Sequence, residues 1–278
     1  MRTGQTLFDL ELRCDLNQEY NQIIRDLKET HINSTDLMSM LNSSIRTWPF
    51  RQGATSITTF FRKHGIIQQP NDLEPYILYS LELIINLLYW LPVCEKQEAI
   101  SLDMSNGMEL SIQKECFRCL ENIDNLLESI NMRVRKKGTT PIPQYSICKC
   151  DAQVDAVIEV VPELSDLLLS YYDIRNRFDE QAKRNILNAI AFHIEKKRKA
   201  KLYQGTIYNQ LCDDLFTVFN NSSIRHNNNQ QWNLSEEERI TLFDHTFKAA
   251  LHLLQTEEMN SFHETVYKLK NRSAGRSD

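Results

Sequence analysis

The chain predicts an all-α fold, and three observations carry that expectation. Glycine is scarce, 7 in 278 residues, where a typical protein has ~7%, and turn-rich β folds need more. Apolar residues recur at three- and four-residue spacing in segment after segment. Those segments are bounded by Asp, Ser or Thr at their starts and by proline or glycine between them. With 41% hydrophobic and 25% charged residues, the chain has the makings of a packed core, and its length suits one large domain or two smaller ones.

Asp15 is placed to cap a helix running to about Thr30, with Leu16, Tyr20, Ile23, Ile24 and Leu27 along one stripe. Asn33, Ser34, Thr35 and Asp36 open a short helix that ends near Trp48, before Pro49. A basic-ended amphipathic segment covers 55–64, and a long apolar helix covers 73–91, with Pro75 in its first turn and Pro92 after it. Residues 93–107 read as a loop. A further helix spans Met108 to about Arg133, with Leu110, Cys116, Phe117, Leu120, Ile123, Leu127 and Ile130 on its apolar side. The basic run 133–137 leads into Gly138, Pro141 and Pro143, which mark the main internal boundary, and 145–149 is a short strand or extended segment. Helices then follow at about 151–171, 178–203, 206–221, 235–256 and 258–270, with the residues from Ser273 onward expected to be disordered. The domains expected are a helical region at 1–140 and a helical domain at 141–272.

The formal charge of −5 gives no global attraction to nucleic acid, so RNA binding needs a local basic patch. Seven cysteines without a secretory leader point to free thiols in the cytoplasm. The most apolar stretch, 76–91, contains Glu82 and is shorter than the ~20 residues of a membrane span. It reads as a buried helix, and no membrane association is expected.

The most informative stretch is 211–229. Leu211, Leu215, Val218 and Phe219 share a helical face, and the sequence then turns abruptly polar, with Arg225 and His226 adjacent among Asn220, Asn221, Asn227, Asn228 and Asn229. Asn and Ser compete for backbone hydrogen bonds, so the helix should stop here. A guanidinium can hold a phosphate and a neighbouring imidazole can move a proton. Alternatively, both side chains satisfy an Asn-rich kink between two helices.

Asp213-Asp214-Leu-Phe, Phe219-Asn-Asn and Ile224-Arg-His-Asn-Asn, followed by a capped amphipathic helix, resemble bacterial abortive-infection-type proteins with a C-terminal HEPN-like domain. The likeness covers about 151–270. It implies an up-and-down helical bundle, a homodimer, and a metal-independent ribonuclease site needing no cofactor. Catalysis would fall to Arg225 and His226, with Asn221, Asn227, Asn228, Lys196, Lys197 and Arg198 binding substrate. It also implies antiviral defence as the setting, with RNA and another protein of a defence system as partners. The alternative is a non-catalytic helical interaction protein within a defence or toxin–antitoxin complex, its docking surface sought in helix 73–91. HEPN motifs separate Arg from His by four to six residues, whereas here they adjoin. His226 would therefore work from a shifted position, or His193 would contribute.

The other clusters have plainer readings. Basic runs at 196–201 and 133–137 could steer an RNA backbone, or simply complement a helix end in solvent, and neither has the interleaved aromatics of a single-strand-binding groove. Cys116-x-x-Cys119 and Cys148-x-Cys150 could be drawn as a zinc site, but the first pair sits inside a helix and buried thiols explain both. Ser235 and Glu238 stand at capping-box spacing.

Overall fold

The computed structural model describes residues 15–32, 34–69, 72–91, 107–137, 143–204, 206, 208–225 and 231–274. It is mostly helical, as the periodicity predicts. The chain divides into two compact units, Met1–Lys149 and Cys150–Asp278. The division falls after a β-hairpin, whereas the sequence placed the break at 138–143.

The first unit starts with α1 (Leu16–Glu29), capped by the Asp15 carboxylate, which accepts from the N–H groups of Asn17 and Gln18 at 3.1 and 3.0 Å. A minimal hairpin of β1 (His31–Ile32) and β2 (Thr35–Asp36) turns through Ser34 at φ 71°. Asp36 then caps α2 (Leu37–Ser44), and Ser56 caps α3 (Ile57–Lys63). Helix α4 (Glu74–Trp90) buries Ile77, Leu78, Leu81, Leu83, Ile84, Ile85, Leu87 and Leu88, which is burial on every face. It packs against α1, α2, α5 (Gly107–Ser129) and the later hairpin strand Gln144–Lys149. The exposed apolar docking face sought in helix 73–91 is therefore absent from this segment.

The hairpin pairs β3 (Met132–Lys137) with β4 (Gln144–Lys149), Arg133 opposite Cys148 and Val134 opposite Ile147. The basic run 133–137, expected to lead out of a helix, is thus a strand. Its alternation of Met132 and Val134 with Arg133 and Arg135 has the two-residue period of a pleat. Two polar side chains of α4 finish the edge of β4. Asn86 accepts from the Tyr145 N–H at 2.9 Å and donates to the Tyr145 carbonyl at 2.8 Å, while Glu82 accepts from the Ile147 N–H at 3.0 Å. Both are buried. Unpaired strand groups away from water are costly, and these residues do the work of a third strand.

Among the described residues of the second unit, the secondary-structure elements are all helices. The single helix expected at 151–171 is broken by Pro162 into α6 (Ala152–Val160), a 3₁₀ turn (Pro162–Leu164) and α7 (Ser165–Tyr171). Helix α8 (Glu180–Lys199) starts on the Asp179 cap, and α9 (Asn209–Asn221) follows. The two helices expected after Ser235 are one, α10 (Glu236–Ala274), which extends past Ser273. Its start is the expected capping box: Ser235 N–H donates to Glu238 Oε2 at 2.8 Å, and Glu238 N–H donates to Ser235 Oγ at 3.2 Å. Helix α10 packs on α6, α8 and α9. Phe243, Phe247, Leu251 and Leu254 meet Ile186, Ile190, Ile194, Leu215 and Phe219 in one core.

A polar cluster sits at the margin of that core, where the Asp244 side chain is 43% exposed. Asp244 accepts from Lys183 Nζ and from the Tyr171 hydroxyl, the latter at 2.8 Å, while the Tyr171 ring stacks on Phe247 at 3.8 Å. Burial, and then the Asp244 carboxylate, push the Tyr171 hydroxyl well above the usual tyrosine range.

Candidate functional site

Helix α9 buries Cys212, Leu215, Phe216 and Phe219, with Leu211 and Val218 on its flank. It stops at Ser222, whose N–H and hydroxyl both donate to the Val218 carbonyl, at 2.9 and 2.7 Å. Ser223 follows at φ 61°, the left-handed conformation that turns a chain out of a helix. Ile224 then drops back into the core, 4% exposed. The Arg225 N–H donates to the Phe219 carbonyl at 3.0 Å. The return of the chain is pinned as well. Gln231 donates through Nε2 to the Asn220 carbonyl at 3.0 Å and accepts from the Ser223 hydroxyl at 2.6 Å, and Trp232 N–H donates to the Asn221 carbonyl at 2.8 Å. The expected helix stop is thus present, and it is tied shut on both sides of 226–230.

This closure turns Arg225 toward the end of α8. Its Nη2 donates to Glu195 Oε2 at 2.7 Å, and the side chain is only 10% exposed. The guanidinium carbon lies 5.6 Å from the centroid of Phe192 and 5.4 Å from that of Phe216. The second Glu195 oxygen meets Lys199 Nζ at 3.3 Å. Arg198 also approaches Phe216, 4.6 Å from the ring centroid, and donates to Asp213 Oδ1 at 2.7 Å. Arg198, Lys199 and Arg225 therefore gather around Phe216, Glu195 and Asp213. Lys196 and Lys197 extend the same helix end.

Of the residues picked from the sequence, Arg225, Lys196, Lys197 and Arg198 belong to one locality, and Asn221 closes it through its backbone. His226, Asn227 and Asn228 lie outside the described residues. His193 makes a different contact, its Nδ1 3.9 Å from Glu163 Oε1. Asp213 and Asp214 are engaged locally: Asp213 by Arg198 and Asn209, Asp214 by Gln210 at 2.8 Å. Burial raises the Cys212 thiol above its usual range, so it is no activated nucleophile. Among the described residues no group of three or more His, Cys, Asp or Glu side chains could hold a metal ion. Nor is any helix there long and apolar enough to cross a membrane.

Glu195 and Phe192 are the residues that sequence reading passed over, and Phe216 entered it only as the end of the Asp213-Asp214-Leu-Phe motif. Phe192 carried a signal. It sits about 200° of helix rotation from Ile190 and again from Ile194, so it is an aromatic residue on the polar side of α8. No protein-family profile, curated protein or solved structure matches the chain.

Proposed function

We propose that the protein is an RNA-directed effector of antiviral defence, of the abortive-infection type, whose second unit is a HEPN-like helical domain acting without a metal cofactor. The observation that supports this reading is the meeting of the basic end of α8 with Arg225 around Glu195 and Phe216. Two features that are far apart in the sequence share one locality there. The cations Lys196, Lys197, Arg198 and Lys199 neutralise an RNA backbone. His226, next along the chain from Arg225, takes the proton of a ribose 2′-hydroxyl as that oxygen attacks the adjacent phosphorus. The P–O5′ bond breaks, and a proton is returned to the leaving oxygen. Arg225 stabilises the charge on the phosphate, which requires exchanging Glu195 for substrate. A second copy of the chain completes the site in this reading.

A specific observation favours a second reading. The carboxylate of Glu195 and the rings of Phe192 and Phe216 hold the Arg225 guanidinium without any ligand, leaving its buried Nε with no hydrogen-bond partner among the described residues. In that case the motif is a structural closure, and the protein is a non-catalytic component of a defence or toxin–antitoxin complex. Cleavage of a mixed RNA pool in excess EDTA separates the two. The first reading expects cleavage by the wild type and its loss in folded Arg225→Ala and His226→Ala variants. Cleavage that persists in both variants contradicts the assignment of those residues. No cleavage by the dimeric or monomeric wild type favours the structural reading.

A further inference from the structure

Phe192 is 53% exposed, on the face of α8 opposite the Ile186, Ile190 and Ile194 stripe. A single exposed phenylalanine is ordinary on a protein surface. This one differs in its neighbours. The Arg225 guanidinium approaches its ring at 5.6 Å from the centroid, and that guanidinium is itself held by Glu195 at 2.7 Å. The ring is thus braced by a cation that is anchored to the same helix, three residues on. Lys196 and Lys199 follow Phe192 at i+4 and i+7, so the two ammonium groups stand on its face of the helix. An aromatic surface beside a row of cations is the chemistry that binds single-stranded nucleic acid. The ring stacks on a base, and the cations follow the backbone. In a duplex, by contrast, the bases are already stacked on one another and cannot reach a side chain.

We infer that Phe192 is a base-stacking platform, braced by Arg225, that makes single-stranded RNA the substrate class of the site; the inference rests on the RNA-directed reading above. Until it exchanges Glu195 for the phosphate, Arg225 is then also a positioning residue for the ring. The pair Glu195–Arg225 sets the ring's orientation before RNA arrives, which reduces the ordering that binding must supply.

The test is fluorescence anisotropy with the full chain and a 5′-labelled mixed-sequence RNA 12-mer. The RNA carries 2′-O-methyl groups so that no 2′-hydroxyl can attack, and it is presented alone and as a duplex. Wild type, Phe192→Leu and Phe192→Trp are compared after far-UV circular dichroism shows the same fold. Losing one stacked base weakens single-strand binding of Phe192→Leu at least about fivefold, leaves duplex binding unchanged, and Phe192→Trp binds as tightly as wild type or more so. Phe192→Leu binding the single strand within twofold of wild type overturns the platform while leaving RNA binding intact. Equal losses for single strand and duplex overturn it too. A wild type that binds neither RNA overturns the RNA-directed reading itself, and the platform with it.

Discussion

Replacing Glu195 by alanine isolates what holds Arg225. The carboxylate is 23% exposed and the guanidinium side chain 10%, so the pair lies between the two limits for which magnitudes are known. Removing one partner of a fully buried pair costs about 3–5 kcal/mol, because the other charge is left unpaired. An exposed pair contributes about 0–1 kcal/mol. Arg225 keeps its contacts with Phe192 and Phe216, which continue to favour a cation, and Lys199, 75% exposed, simply returns to water. The expected loss for Glu195→Ala is therefore about 2–3 kcal/mol. Arg198–Asp213 provides the internal comparison. Its members are 47% and 44% exposed, so Asp213→Ala should cost at most about 1 kcal/mol. Both are read from urea unfolding followed by circular dichroism at 222 nm, with the slope on denaturant checked for constancy. A cycle with Arg225→Met should return a coupling of about 2 kcal/mol for the Glu195–Arg225 pair. If Glu195→Ala costs no more than Asp213→Ala, Arg225 is not held by Glu195, and the reasoning about its orientation fails.

Asn86→Ala should destabilise the first unit by about 3 kcal/mol, since it strips a buried residue from the N–H and the carbonyl of Tyr145 together; a change in unfolding free energy under about 0.5 kcal/mol would contradict this edge-capping role. The buried Cys119 thiol is pushed up from 9.0 to about 12, by burial first and by the Asp26 charge second. Below pH 9 the thiol is protonated whether the chain is folded or not, so stability does not depend on its titration. Between pH 9 and about 12 the unfolded chain alone releases the proton, and stability falls by about 1.4 kcal/mol per pH unit. Cys119→Ala should flatten the stability profile over that interval, and identical wild-type and variant slopes would refute the shift.

What could be read from the sequence follows the range of the interactions. Asp15, Asp36, Asp151, Asp179 and Ser235 bond to backbone two or three residues on, so local pattern sufficed for the helix starts. The interruption at Pro162 is equally local, but the apolar spacing continues through it and masked the break. The β3–β4 hairpin was half visible. Residues 145–149 read as extended, while the charges of 133–137 hid the alternation of their strand partner. Glu82 stood out as a charge in an apolar helix, yet its partner is the backbone of Ile147, 65 residues away. The site divides in the same way. The change of composition after Phe219 marked the helix stop and Arg225. Nothing local joined Arg225 to Glu195 thirty residues earlier, because that contact exists only once α8 and α9 pack.

The most direct test of the central claim, that the basic end of α8 and the Arg225 closure form an RNA-binding surface, is the salt dependence of binding to the 2′-O-methylated single strand. Each phosphate contact adds about 0.7 to the slope of log affinity against log salt. Lys196→Ala combined with Lys199→Ala should therefore lower that slope by about 1.4 relative to wild type. A wild type that binds with the same slope as the double variant, or does not bind at all, contradicts the claim.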